Sequence, residues 1–177
     1  MATSIQHARL ASFATYFPLA TRSELLQFEQ AYESNRHRIY ALAFWMTDNE
    51  ITAEQLMLNV FLRVFACSPY SKEGPTDEVI DRALITELRE ESPLGVLTLE
   101  CDDCREVLSV RSNLLRVHLE RAVLQLPRTE RLAFLLHDVE GYGHTRISRL
   151  LGLTEAESQI AVHQARLRIR ELVSQMN

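Results

Sequence analysis

The 177 residues suffice for one medium-sized core or two small ones, since a domain commonly takes about 100–150 residues and a helical module fewer. An apolar share of 46% with 24% charged residues is typical of a folded globule and excludes both a disordered chain and a membrane-embedded one. No apolar run approaches the ~20 residues of a membrane span, and residues 1–17 lack a hydrophobic signal core, so we expect a cytoplasmic protein without a membrane partner.

The net charge of −5 is unevenly distributed along the chain. Residues 68–105 carry four basic and ten acidic side chains, whereas residues 106–177 carry ten basic and eight acidic ones. Arginine supplies the positive charge of this last part, and it suits bidentate contacts with phosphate and guanine as well as surface ion pairs. Charge alone therefore does not decide whether the chain binds nucleic acid.

The predicted elements are helices throughout, because an alternation of period two persists nowhere in the chain. Residues 1–20 carry no pattern that we can assign. The capping-box sequence of residues 21–24 predicts a helix that begins there and runs to about Met46, and a second helix follows at about 52–66. A third, acidic helix is predicted over about 77–91. Its predicted apolar face consists of Val79, Ala83 and Leu84.

The second predicted helix carries more apolar side chains than one stripe needs. The stripe itself follows the spacing i, i+3, i+4, i+7 and i+8 and consists of Met57, Val60, Phe61, Val64 and Phe65. Leu58 and Leu62 lie beside this stripe and widen it. Two interpretations are open: the helix is buried on two sides, or its extra apolar surface binds a partner.

Glycine, proline and acidic residues cluster over residues 92–105, which predicts a linker between two helical domains, residues 22–91 and 106–177. The second domain is predicted to hold helices at about 106–126, 127–138, 145–151 and 155–175. The expected fold class is therefore all-α, with two small helical domains.

The last two predicted helices have the layout of a helix-turn-helix, a motif whose second helix enters the DNA major groove. The first of them ends at Gly152, and a second capping box, residues 154–157, opens the next. On that next helix the predicted inner face consists of Ser158, Val162, Ala165, Ile169 and Leu172. The predicted outer face consists of Gln159, His163, Arg166 and Arg170. By itself this motif is a weak indication of DNA binding, because glycine-containing helical hairpins are common.

No catalytic or metal-binding pattern accompanies the helices. Of the three cysteines, Cys101 and Cys104 form a single CxxC without a second ligand pair, and Cys67 is separate from it in the sequence. No two histidines have the i, i+4 spacing of a helical metal site. The sequence also lacks a phosphate-binding glycine loop and a GxSxG motif. We therefore expect a binding protein without enzymatic activity, cofactor or metal.

Residues 119–172 resemble the fourth conserved region of small sigma factors of the extracytoplasmic-function type. The matching features are Leu126-Pro127, Arg131, Glu140-Gly141, Leu151-Gly152 and Ala165-Arg166. The resemblance implies that this domain recognises the minus-thirty-five promoter element. The candidate DNA-binding residues are Arg146, Arg149, Gln159, His163 and Arg166.

Residues 28–66 resemble the second conserved region of the same family, and the resemblance implies that the domain of residues 22–91 binds core RNA polymerase and faces the minus-ten promoter element. The matches are Tyr40, Leu42, Ala53-Glu54, Leu56, Phe61 and Leu62. The resemblance implies a polymerase-binding helix, with Glu54, Gln55, Leu58, Asn59 and Leu62 as the candidate contacts. Both regions occur in the family's order and spacing, so the pair is more specific than either half. The implied partners are core RNA polymerase and promoter DNA, with an anti-sigma factor as a further candidate.

The chain departs from the family pattern at several functional positions. Gln55 and Leu58 stand where the family favours aspartate and glutamine, and Arg146 replaces a usual glutamate. No aromatic residue occurs between Tyr70 and Phe134, although flipped promoter bases stack on aromatic side chains. We therefore expect a degenerate promoter-opening region.

Three functions are compatible with these residues. The first is a sigma-factor-like initiation subunit that directs core polymerase to promoter DNA. The second is a sigma mimic or regulatory interaction protein, which binds an anti-sigma factor or polymerase without opening promoters. The third is a helix-turn-helix regulator without polymerase contact.

Overall fold

A computed structural model of the chain describes residues 21–67, 74–95, 97 and 116–176. These ranges contain seven α-helices and no strand, which confirms the predicted all-α fold. A π-helical turn, Leu135–Val139, continues the fifth helix. The predictions for residues 1–20, 106–115 and the CxxC cysteines fall outside the described residues. The helices are α1 Arg22–Thr47, α2 Glu50–Cys67, α3 Asp77–Glu91, α4 Arg116–Gln125, α5 Arg128–Phe134, α6 His144–Leu151 and α7 Glu155–Met176.

The described residues fall into two compact units. The first consists of residues 21–43, 50–67 and 74–87, and the second of residues 44–49, 88–95, 97 and 116–176. The described part of the predicted linker groups with the second unit, where the Thr129 hydroxyl donates to the Gly95 carbonyl at 2.6 Å. Most of the linker lies outside the described residues, so the domain boundaries at 92–105 stay a prediction. None of the described helices is long and apolar enough to cross a membrane.

Helix α1 begins at the predicted capping box. The Thr21 N–H donates to the Glu24 carboxylate at 2.6 Å, and the Glu24 N–H donates to the Thr21 hydroxyl at 3.3 Å. The bond from the Thr21 backbone holds the pKa of Glu24 below its ordinary value. Two donors at the helix start that would otherwise lack partners are thereby satisfied, which fixes the residue at which α1 begins.

Aromatic side chains of α1 and α2 form the centre of the first unit. The rings of Phe28 and Phe65 lie 4.1 Å apart, and those of Tyr32 and Phe61 lie 4.9 Å apart, both in edge-to-face arrangements. Phe28 and Phe61 are fully buried. Aromatic pairs of this geometry stabilise a core beyond the area they bury.

Helix α3 spans the predicted residues, but its predicted apolar face was wrong in one position. Val79 is exposed, because at 100° per residue it lies about 140° around the helix from the buried Leu84. The buried face consists of Ile80, Ala83, Leu84, Ile85 and Leu88.

Two acidic residues that flank this face are also buried. Asp81 accepts a hydrogen bond from Arg38 of α1 at 2.6 Å, and Glu87 accepts one from Arg63 of α2 at 2.5 Å. Two carboxylates of α3 therefore link it to α1 and α2 by ion pairs, since a buried carboxylate requires a paired cation.

The second unit is built around α7, which packs against α4, α5 and α6. Arg131 is almost fully buried in this unit, and its guanidinium donates to the Leu124 and Leu126 carbonyls at the end of α4. Arg168 of α7 pairs with the buried Glu130 of α5 at 3.0 Å. These contacts between helices hold α7 in place and set the direction of its outer face.

Candidate functional site

The helix-turn-helix consists of α6, a short turn and α7. Gly152 ends α6 with φ +69°, a left-handed conformation that side chains rarely adopt, and the Leu153 N–H returns to the Ser148 carbonyl at 2.9 Å. The predicted second capping box opens α7. The Thr154 N–H donates to the Glu157 carboxylate at 2.7 Å, and the Glu157 N–H donates to the Thr154 hydroxyl at 3.1 Å. The bond from the Thr154 backbone lowers the pKa of Glu157.

The two faces of α7 agree with the sequence pattern in most positions. The buried face contains the predicted Ser158, Val162, Ala165 and Ile169, and adds Ala161, Gln164 and Val173. Leu172 is half-buried. On the outer face Gln159 is exposed and His163 is half-buried. Both candidate DNA-binding residues lie on the outer side of the helix, but the Nε2 atom of His163 is buried, which leaves Gln159 as the more accessible of the two.

Helix α6 buries one side and exposes the side that carries its arginines. Its buried residues are Ile147, Ser148, Leu150 and Leu151. Arg149 is exposed and its Nε donates to the Thr145 carbonyl at 3.3 Å. Arg146 is half-buried, with its guanidinium carbon 3.8 Å from the centre of the Tyr142 ring. Two candidate arginines are thus presented by the first helix of the motif.

Arg166, the fifth DNA-binding candidate, forms a two-point ion pair with Asp138. Its Nε and Nη2 donate to the two carboxylate oxygens at 2.9 and 2.6 Å, while its side chain stays 40% exposed. The bond to Asp138 raises the pKa of Arg166. Any DNA contact by Arg166 must therefore compete with a carboxylate of the same chain.

The candidate polymerase contacts lie on one exposed side of α2. Leu58 is 43% exposed, Leu62 is half-buried, and the polar candidates Glu54, Gln55 and Asn59 are exposed. The other side is buried through Ala53, Leu56, Val60, Phe61 and Val64. The exposure of Leu58 decides against a helix buried on both sides. Ile51, which is 70% exposed, lies on the same exposed side of α2 as Leu58 and was not among the predicted residues.

Comparisons with known proteins agree with this geometry. Residues 116–169 match the model of the family described as sigma-70, region 4. The ECF RNA polymerase sigma factor SigE of Mycolicibacterium smegmatis is 22% identical over 172 residues, which cover 91% of this chain and 67% of that protein. The match over residues 116–169 and the similarity to SigE together support an extracytoplasmic-function-type sigma factor.

The fold of this sigma factor also resembles a solved structure. The sigma factor RpoE of Bartonella quintana, crystallised in complex with the anti-sigma factor NepR, superposes with a TM-score of 0.60 at 16% identity. The match covers 83% of this chain and 96% of the other. At this identity the likeness establishes a shared fold.

A polar cluster that lies beside α7 was not predicted from the sequence. Asp138 also bonds the His137 Nδ1 at 2.7 Å; the His137 ring stacks on that of His144 at 4.5 Å, and the His144 Nδ1 bonds the Ser158 hydroxyl at 3.0 Å. Burial, and then the neighbouring His137, lower the pKa of His144. The cluster thus connects the π-helical turn to α6 and α7.

Besides the capping box, one side-chain contact around α6 and α7 could have been anticipated from the sequence. Tyr142 and Arg146 are four residues apart, a spacing that is compatible with contact. Asp138 and Arg166 are separated by 28 residues, so no local pattern links them.

The ion pair between Arg166 and Asp138 is expected to make a pH-dependent contribution to the stability of the fold. Burial by itself raises the pKa of Asp138, but hydrogen bonds from Arg166 and His137 outweigh it, and the pKa lies below the ordinary 3.8. A lowered pKa stabilises the fold above the ordinary value, and the contribution is lost as pH falls through the folded-state pKa. We expect Asp138→Asn to cost about 1 kcal/mol at neutral pH, given the partial exposure of the pair.

The measurement is the thermal unfolding midpoint of Asp138→Asn and wild type from pH 7 to pH 3. The difference between them should shrink towards the acid end. Glu171→Gln, which changes an exposed carboxylate of α7, is the matched control and should follow the wild type. A difference for Asp138→Asn that stays constant with pH would show that its carboxylate charge contributes nothing.

Proposed function

We propose that this sigma factor is a transcription initiation subunit in which α2 binds core RNA polymerase and α6 with α7 reads the minus-thirty-five promoter element. The observation that carries the proposal is the combination of two surfaces in one chain. One is the exposed, partly apolar side of α2, and the other is the polar face of a capped helix-turn-helix. Its role is to bind and position other macromolecules without catalysing a reaction, and its place of action is the cytoplasm.

The DNA surface divides into two kinds of contact. The second helix of a helix-turn-helix enters the major groove, which assigns Gln159 and His163 of α7 to base edges. The first helix crosses the DNA backbone, which assigns Arg146 and Arg149 of α6 to phosphates. Glu155 and Glu157 stand at the start of α7, so the surface has few cations in excess. We therefore expect weak binding by the sigma factor alone and stronger binding once polymerase holds it beside the promoter.

A second candidate function keeps the polymerase contact and omits promoter opening. Two observations favour it. The exposed part of α3 presents acidic residues to solvent, and the sequence contains no aromatic residue between Tyr70 and Phe134. The exposed acids are Asp77, Glu78, Glu90 and Glu91. In this case the chain would bind an anti-sigma factor or polymerase as a regulator. Transcription from a genomic promoter library with reconstituted polymerase separates the two functions.

The proposed DNA contacts predict different effects for residues of α6 and α7. Arg149→Ala should weaken binding to all DNA sequences alike, because it removes a phosphate contact. It should also reduce the slope of log affinity against log salt concentration by about one. Gln159→Ala should cost about 1–3 kcal/mol on the preferred sequence and relax specificity at one position. Fluorescence anisotropy on promoter and scrambled duplexes, with and without core polymerase, measures both effects.

Arg121→Ala, which changes an exposed arginine of α4, is the control for a general loss of positive charge. If neither the chain nor its polymerase complex prefers promoter over scrambled DNA, the promoter-reading role fails and the regulatory candidate replaces it.

A further inference from the structure

We propose that Tyr142 is a positioning residue that orients Arg146 for contact with the DNA phosphate backbone. The inference rests on the proposed function, since it concerns the same helix-turn-helix. It assigns a role to an aromatic residue outside both helices of the motif. It also explains how an arginine can act at a position where the family usually has glutamate.

Tyr142 and Arg146 form a cation–π contact. The Arg146 guanidinium carbon lies 3.8 Å from the ring centre of Tyr142, well within the ~6 Å range of cation–π contacts. Both side chains are half-buried. At this distance the ring lies against the central carbon of the guanidinium and limits where the Arg146 side chain can move.

The backbone around Tyr142 holds the ring in place. Its N–H donates to the Leu136 carbonyl at 2.9 Å, which anchors the turn to the π-helical segment. Gly141 precedes it with φ +72°, a conformation that allows the chain to reverse direction here, and Gly143 follows as the N-cap of α6. The ring therefore belongs to an anchored turn, and Arg146 lies in the first turn of the helix that the turn introduces.

A contact of this kind is compatible with phosphate recognition. A guanidinium carries its N–H groups around the edge of its plane, and although the Arg146 Nε is buried, a ring against the central carbon does not occupy the Nη donors, which can bond phosphate oxygens. Confining a long side chain before binding also lowers the conformational entropy that is lost when the complex forms. Arg146 lies on the same exposed side of α6 as Arg149, in the helix that crosses the backbone in this motif.

The test uses full-length protein and a DNA duplex that the wild type selects from a random-sequence library. Tyr142→Phe keeps the ring and should bind within about twofold of wild type. Tyr142→Leu removes the ring and should bind roughly two- to five-fold more weakly, the factor that a cation–π contact at an exposed site provides. Arg146→Ala should lose more affinity and show a smaller dependence on salt.

The double variant distinguishes positioning from a purely structural role. If Tyr142 acts through Arg146, Tyr142→Leu should cost nothing further in the Arg146→Ala background. The inference would be overturned if Tyr142→Leu bound DNA with unchanged affinity, or if the losses in the double variant were additive. The proposed function would survive either result, provided that the wild type still prefers its selected DNA. Absence of sequence preference in the wild type, both alone and in complex with core polymerase, would instead remove the proposed function, and the inference with it. The affinities can be compared only if the single variants unfold at equal midpoint temperatures. A midpoint lowered only in Tyr142→Leu would show that Tyr142 has a structural role.

Discussion

Replacing Leu58 and Leu62 by glutamate is expected to abolish binding of the sigma factor to core RNA polymerase while the chain stays folded. Leu58 is 43% exposed and Leu62 is half-buried on the same side of α2, next to the polar candidates Glu54, Gln55 and Asn59. A charge that an interface buries without a partner costs on the order of several kcal/mol, so two such charges should reduce affinity by roughly a hundredfold or more.

Co-purification with core polymerase measures this loss, and circular dichroism shows whether the variant remains helical. Leu58→Glu alone is informative because the Leu58 side chain is exposed to solvent, whereas Leu62 is half-buried. Val79→Glu is the matched control, since Val79 is an apolar residue of α3 that is 37% exposed. Retained binding by a folded double variant would move the polymerase surface away from α2, and unfolding of Leu58→Glu would make Leu58 a core residue.

The second large effect is expected from Arg38, which pairs with Asp81 inside the first unit. Asp81 is 2% exposed, and the Arg38 Nη1 donates to it at 2.6 Å while Nη2 donates to the Asn35 side chain at 2.9 Å. Arg38→Met should destabilise the unit by about 3–5 kcal/mol, because it removes one charge of a buried ion pair. Urea unfolding monitored by circular dichroism measures the change in unfolding free energy.

Two further variants identify the cause of that loss. Arg38→Met combined with Asp81→Leu should recover much of the stability, since well-packed apolar residues often replace a buried ion pair at little cost. Arg82→Ala removes an exposed pair with Glu78 in the same helix and should change stability by less than about 1 kcal/mol. If Arg38→Met costs no more than Arg82→Ala, the buried pair does not hold α1 and α3 together.

The sequence by itself determined the features that depend on neighbouring residues. The two capping boxes and Gly152 marked helix ends correctly, because these signals act within one helical turn. The buried face of α7 also followed its apolar spacing. The order of the two family-like regions was sufficient to indicate a sigma factor, since several local patterns agreed with one another.

Only the tertiary structure decided which polar and apolar residues face inward. Asp81 is buried because Arg38, distant in the chain, reaches it, and Arg166 is engaged because Asp138 lies on another helical segment. Leu58 is exposed because the core of the first unit covers only the opposite side of α2. Each outcome depends on contacts between segments far apart in sequence, and the periodicity of one helix contains no information about its partner.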